Sequence, residues 1–137
     1  MAGADLVVTV TASREPVVKS DWIRRGVHIT AVGSDIPEKV ELEPSLLARA
    51  KVVADRLPQC ARQGEIHQCP SSGRDLRVAD IHAELGDVVT GAKPGREADH
   101  EITIADLTGV GVLEAALAEL VTSRALEQGR GRVIRDG

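Results

Sequence analysis

The sequence has no phenylalanine, no tyrosine and one tryptophan, Trp22, among 137 residues. A chain so poor in rings offers no platform for stacking bases and few of the anchors that dominate tight interfaces. Its core must be aliphatic, built from Val, Ile, Leu and Ala, which suits helices laid on a sheet. Cysteine is also scarce, with only Cys60 and Cys69. Two thiols make no disulfide framework, and together with His67 they fall short of the four closely paired ligands of a structural zinc site. They read as free thiols in a helix and in the loop after it. Positive charge is sparse: net charge is −4, and the longest basic run is Arg24-Arg25. The arginines of Arg130-Gly-Arg-Val-Ile-Arg135 read as a solvated tail rather than a nucleic-acid patch. No apolar stretch approaches a membrane span, and no charged-then-apolar leader is visible. The expectation is a cytoplasmic protein with neither membrane nor nucleic acid as partner.

What is present is ordered. A chain of 137 residues fits one domain and can bury a respectable core. Asp5 to Val10 is a β-branched run closed by a polar turn that ends in Pro16. Gly26 precedes a second such run, Val27 to Val32, which stops at Gly33-Ser34. Pro44 suits the first turn of a helix whose apolar face is Leu46, Leu47 and Ala50. Lys51 to Asp55 reads as a third strand. Leu57 to Ile66 reads as weakly helical, with Gly64 as a stop. His67 to Asp75 is a loop rich in Pro, Ser and Gly.

Val78, Ile81, Leu85, Val88 and Val89 then recur at helical spacing until Gly91. Lys93 to Arg96 reads as a turn and Glu101 to Asp106 as a fourth strand. Thr108-Gly109 opens the longest helix, with Leu113, Leu117, Leu120 and Val121 on one stripe. Short, fully apolar strands alternating with helices indicate a parallel sheet covered by helices. We therefore expect a three-layer α/β fold with a mainly parallel four-stranded sheet and a long C-terminal helix. The domain covers residues 1–129, followed by a polar tail over 130–137.

Parallel α/β sheets bind ligands outside the carboxyl ends of their strands. That rule singles out Asp35, a lone carboxylate just past the second strand, with Pro37 and Lys39 beyond it. Spacing alone leaves two readings open: a proton-transfer carboxylate, or a turn aspartate bonding its own backbone before Pro37. His28 lies inside a strand and reads as a core or edge histidine. His67, His82 and His100 form no recognisable triad with a Ser or Cys. Gly109-Val-Gly111 lacks the third small residue of a dinucleotide fingerprint.

Three segments taken in order carry a resemblance. They are Ala4 to Val18, Gly26 to Leu42 (which contains Val-Gly-Ser-Asp-Ile-Pro-Glu-Lys), and Ile81 to Gly91 followed by Ile102 to Val112. Together they resemble the C-terminal half of the ornithine cyclodeaminase/mu-crystallin family. Its members are NAD(P)-dependent homodimers acting on amino or imino acids: cyclodeaminases, alanine dehydrogenases and ketimine reductases. The resemblance implies a Rossmann-like partial domain that takes NAD or NADP. It implies that Thr9, Thr11 and Ser13 line the cofactor groove and that Val32 and Gly33 approach the cofactor with their backbone. It makes Asp35 the active-site carboxylate beside the nicotinamide. Lys39 would serve the same pocket, and Thr108, Gly109 and Val110 would pack near the nicotinamide.

The chain departs from the family's pattern in places. Glu38 stands where the family has Gly, Thr30 where Asn is common, and Leu113-Glu114 where a Gln-Asp or Glu-Asp pair is usual. The family's Gly-rich pyrophosphate loop and N-terminal substrate domain have no counterpart in this sequence. Two expectations follow. One is a truncated or split oxidoreductase or cyclodeaminase, with little activity unless a partner supplies the missing half. The other is a non-catalytic α/β module that assembles, as a homo-oligomer or with another protein, through an exposed sheet edge.

Overall fold

The computed structural model describes residues 3–69, 78–132 and 134. Among the described residues, five parallel strands lie in the order β1-β2-β5-β3-β4. They are β1 (Leu6–Thr9), β2 (His28–Ala31), β3 (Lys51–Ala54), β4 (Ala83–Glu84) and β5 (Thr103–Asp106). The α-helices are α1 (Pro44–Leu47), α2 (Leu57–Gln63), α3 (Leu85–Val89) and α4 (Gly111–Glu127). The α/β fold with its parallel sheet and long last helix is as the sequence indicates, but the sheet has five strands rather than four. The extra strand, β4, replaces part of the helix expected from Val78 to Val89. That stretch is a 3-10 turn at Val78–Asp80, a two-residue strand pairing Ala83 with Val53 and Glu84 with Ala54, and only then a short helix. Most of the expected loop from His67 to Asp75, and the end of the tail, lie outside the described residues.

Alternation along the strands sorts the side chains. Ile29 and Ala31, Val52 and Ala54, and Ile104 all point to one face, where Leu46, Leu47, Cys60 and Ile66 meet them in a buried cluster. Fully burying one such Leu or Ile stabilises by about 1.5–3 kcal/mol, so this aliphatic layer carries the core that the missing aromatics would otherwise supply. Pro44 sits in the first turn of α1, as its fixed φ favours. α2 ends at Gly64, whose Cβ position is occupied by the Asp106 carboxyl.

The opposite face is only partly covered. Leu85 and Val88 of α3 and the Gly95-Arg96 turn flank a cavity of about 510 Å³ over Thr30, Val53 and Thr103. β1 is an edge strand, and Leu6, Val8 and Val10 are 59%, 57% and 68% exposed. α4 buries none of its side chains, so Leu113, Leu117, Leu120 and Val121 form an open apolar stripe. Among the described residues, no helix is long and apolar enough to cross a membrane.

Candidate functional site

Because all five strands are parallel, the loops after β1, β2, β3 and β5 share one edge. That edge carries every residue the sequence nominates. Thr9 ends β1; Val32 and Gly33 follow β2; Thr108, Gly109 and Val110 lead from β5 into α4. Buried carboxyl groups that the sequence left without a role hold Thr9, Thr11 and Gly33 in one place and Thr108 in another.

Glu41 is the first of these, fully buried. Its Oε2 accepts hydrogen bonds from the Thr9 hydroxyl at 2.7 Å and the Gly33 amide at 2.8 Å. Its Oε1 accepts from the Thr11 amide at 2.5 Å. The main chain reinforces this, since the Glu41 carbonyl takes the amides of Val17 and Val18, and the Val40 amide donates to the Ser13 carbonyl. Val32 donates its amide to the Thr9 carbonyl at 2.9 Å, closing the gap between the two loops. Ser13 turns its own loop, its hydroxyl donating to the Glu15 carbonyl at 2.6 Å and its amide donating to the Thr11 hydroxyl oxygen.

Asp55 performs the same task at the other loop. It accepts from the Thr108 amide at 2.7 Å and the Thr108 hydroxyl at 3.0 Å, and the Cys60 thiol donates to it. Burial pushes the Cys60 thiol well above its ordinary range and the Cys69 thiol up to about 11, so both stay protonated. Gly109 adopts φ +82°, a conformation glycine takes readily, and its carbonyl accepts from the Gln59 amide group at 2.8 Å. Val110 caps the start of α4.

Two further acids lie beneath. Glu65 accepts the Ser34 hydroxyl, the Glu41 amide at 2.8 Å and the Leu42 amide at 3.0 Å. Asp106 accepts the amides of Glu65 and Ile66, each at 3.1 Å. Burial raises the pKa of Glu65. Burial first, then the charges of Glu65 and Asp55, push Asp106 up to about 7 against the pull of its two amide bonds. Asp55 and Asp106 each close a buried strand with the pair Ala-Asp. The signal that singles out Asp35, an acid just past an apolar run, was therefore present at both.

Asp35 itself stands out from this buried layer. Its side chain is 53% exposed, and Lys39 Nζ lies 2.6 Å from Oδ1. The hydrogen bond from Lys39, an i,i+4 partner, holds the Asp35 carboxyl below the usual range. The carboxyl also takes a hydrogen bond from its own main chain, so Asp35 combines a turn contact with an ion pair to Lys39. Glu38, in place of the family's glycine, is exposed and strains nothing.

A sequence profile of the ornithine cyclodeaminase/mu-crystallin family matches residues 1–129. The chain belongs to the ornithine cyclodeaminase/mu-crystallin family. An alanine dehydrogenase of Archaeoglobus fulgidus is 45% identical over 131 residues, covering 96% of this chain and 40% of the relative. The iminosuccinate reductase of Paracoccus denitrificans is 39% identical over 128 residues, covering 93% and 39%. Among solved structures, an archaeal alanine dehydrogenase dimer with bound NAD superposes with a TM-score of 0.82 at 44% identity, over 97% of this chain and 41% of that one. The Thermococcus litoralis Δ1-pyrroline-2-carboxylate reductase, in complex with NADH and L-proline, gives 0.84 at 34% identity over 96% and 41%. This ornithine cyclodeaminase/mu-crystallin chain thus spans about 40% of the length of the curated relatives it matches.

Proposed function

We propose that the carboxyl edge of this sheet receives the nicotinamide end of NAD or NADP, and that Asp35 works beside it on an amino or imino acid. The observation that carries the reading is Glu41 joining the loops after β1 and β2, with Asp35 exposed at their mouth. Family membership and the names of the relatives support it. The groups around the loops after β1 and β2 fit a nicotinamide and its ribose, since they include hydroxyls, main-chain groups and the Asp35–Lys39 pair. The Thr11 and Ser13 side chains and the main chain at Val32 and Gly33 would hold the ribose and nicotinamide, with Thr108 to Val110 on the far side. When bound, the dinucleotide supplies the hydride donor or acceptor.

Asp35, kept ionised by Lys39, is suited to accept a proton from the substrate nitrogen or to stabilise its positive charge. Lys39 donates to Oδ1. A calorimetric titration with NADH, NADPH and their oxidised forms tests the reading. This chain by itself should bind with a dissociation constant of about 1 mM, some −4 kcal/mol. Resonances of Thr11 and Gly33 should shift as it binds. If no form shifts either residue at about ten times that concentration, the reading fails.

A second reading is assembly without catalysis, and the exposure of Leu6 and Val8 on an edge strand, with Val10 just past it, favours it. An unpaired strand edge invites a partner. Here the partner would be a second copy of the chain.

A further inference from the structure

We propose that Asp106, Glu65 and Glu41 act in series as positioning residues, each carboxyl gripping the main chain that carries the next, and that Glu41 thereby sets the spacing of the loops after β1 and β2. The inference rests on the reading that these loops receive the dinucleotide, but its geometry stands without it. Asp106, at the end of β5, holds the amide of Glu65 through Oδ1 and that of Ile66 through Oδ2. Glu65 holds the amide of Glu41 through Oε1 and that of Leu42 through Oε2. Glu41 holds Thr11 through Oε1, and Thr9 and Gly33 through Oε2. The series thus runs from the middle of the sheet to the two loops at its rim.

Chemistry favours acids over amides in these places. In all three residues both side-chain oxygens accept, a pattern that Asn or Gln cannot reproduce because one of its two ends carries only donors. Among the described residues none of the three is in an ion pair, so their partners are peptide N–H groups and two hydroxyls. Each is at most 1% exposed. A buried acceptor stripped of its donor is costly, so the loops are held where their donors meet these oxygens. Glu41 touches both loops directly, Glu65 also takes the Ser34 hydroxyl of the loop after β2, and Asp106 acts through these two. None of the three is exposed to a ligand.

Residue-resolved amide exchange on the whole chain, combined with NADH titration, tests the series. Glu41→Gln can keep one oxygen on Thr9 and Gly33 but turns an NH2 group towards the Thr11 amide. Exchange at Thr11 should rise tenfold or more, while Val52 and Ile104 in the central strands stay within about threefold of wild type. Asp106→Asn, which touches neither loop, should also speed exchange at Thr11 or Gly33 more than at Val52. Leu46→Ala, a core variant on α1, should speed all of these amides alike. NADH affinity should fall about tenfold in the two acid variants and hold in Leu46→Ala at a temperature where all are folded.

Should Glu41→Gln fail to fold, Thr9→Val removes a single donor from Glu41 and should speed exchange at Gly33 selectively. The proposal is overturned if Thr11 and Gly33 exchange no faster than Val52 in these variants, or if affinity for a dinucleotide that wild type binds is unchanged. If wild type binds no dinucleotide but the exchange pattern holds, the series stands and the cofactor reading fails.

Discussion

The carboxyl of Glu41 occupies the space where a side chain at Gly33 would have to begin. A Cβ built there would fall well inside contact distance of Glu41 Cδ and of the Thr11 carbonyl. Gly33 does not lie in the left-handed region, so close approach, not backbone freedom, requires glycine here. The bond from the Gly33 amide to Glu41 and the lack of a Cβ are two sides of one arrangement.

Gly33→Ala should therefore destabilise the chain by about 1–3 kcal/mol, the range for overpacking a filled site. Gly86→Ala is the contrast, because its Cβ would meet nothing within 4 Å. It should be neutral or stabilise by up to about 1 kcal/mol through the unfolded chain. Urea melts of both variants check the pair, and equal effects would contradict the packing described.

Stability should fall as pH rises from about 4 to 7. Asp106 ionises near 7 in the folded chain, and Glu65 above its ordinary range. Unfolded carboxyls ionise at about 4. Within that window the folded chain keeps protons that the unfolded chain has released, so each step up in pH favours unfolding. The contribution is complete below about 4 and lost above about 7. His28 works in the opposite sense just below pH 6.5, since burial and then Arg96 lower its pKa. The decisive measurement is the difference in urea midpoint between wild type and Asp106→Asn at pH 4.5, 6 and 7.5. A difference that does not change with pH would show that Asp106 has no raised pKa.

Any assembly of this chain that turns over an amino or imino acid should lose most of its activity in Asp35→Asn. A positioned acid–base group contributes about 10²–10⁴-fold to rate. Stability should move by less than about 1 kcal/mol, because the Asp35 end of its pair with Lys39 is half exposed to water. A folded, inactive variant is the expected result. Full activity would reduce Asp35 to a partner for Lys39.

Self-association through β1 should appear in sedimentation as a concentration-dependent shift from monomer to dimer or higher species. Val8→Lys should weaken it, whereas Ala92→Lys, in an exposed loop away from β1, should not. A single monomeric species across a hundredfold concentration range, about micromolar to a tenth of a millimolar, would rule the edge out.

Four of the five strands were legible because each is a β-branched, apolar run closed by a turn residue or an acid. β4 was not. Two residues are too few for a period, and Ile81, Leu85 and Val88 happen to fall at helical spacing around it. Parallel topology singled out Asp35, since such strands end on one side, whereas the family resemblance nominated Thr9, Gly33 and Thr108. Glu41 escaped for a different reason. Between Val40 and Leu42 an acid looks like the wet side of a strand, yet all three residues are buried. Its donors lie 8 to 32 positions away, on the loops after β1 and β2, and no local pattern announces them.

The grips at this edge close mostly on peptide N–H groups: those of Thr11, Gly33, Glu65 and Thr108. A main-chain donor is present whatever side chain it carries, proline excepted. Ala12, Arg14, Asp35 and Ile36 all point outward from the same loops. Their identities can change one at a time while the path beneath them stays where the buried acids put it. Such a rim can be rewritten for a new small molecule without renegotiating the fold, which separates the heritable freedom of the surface from the fixed architecture that presents it.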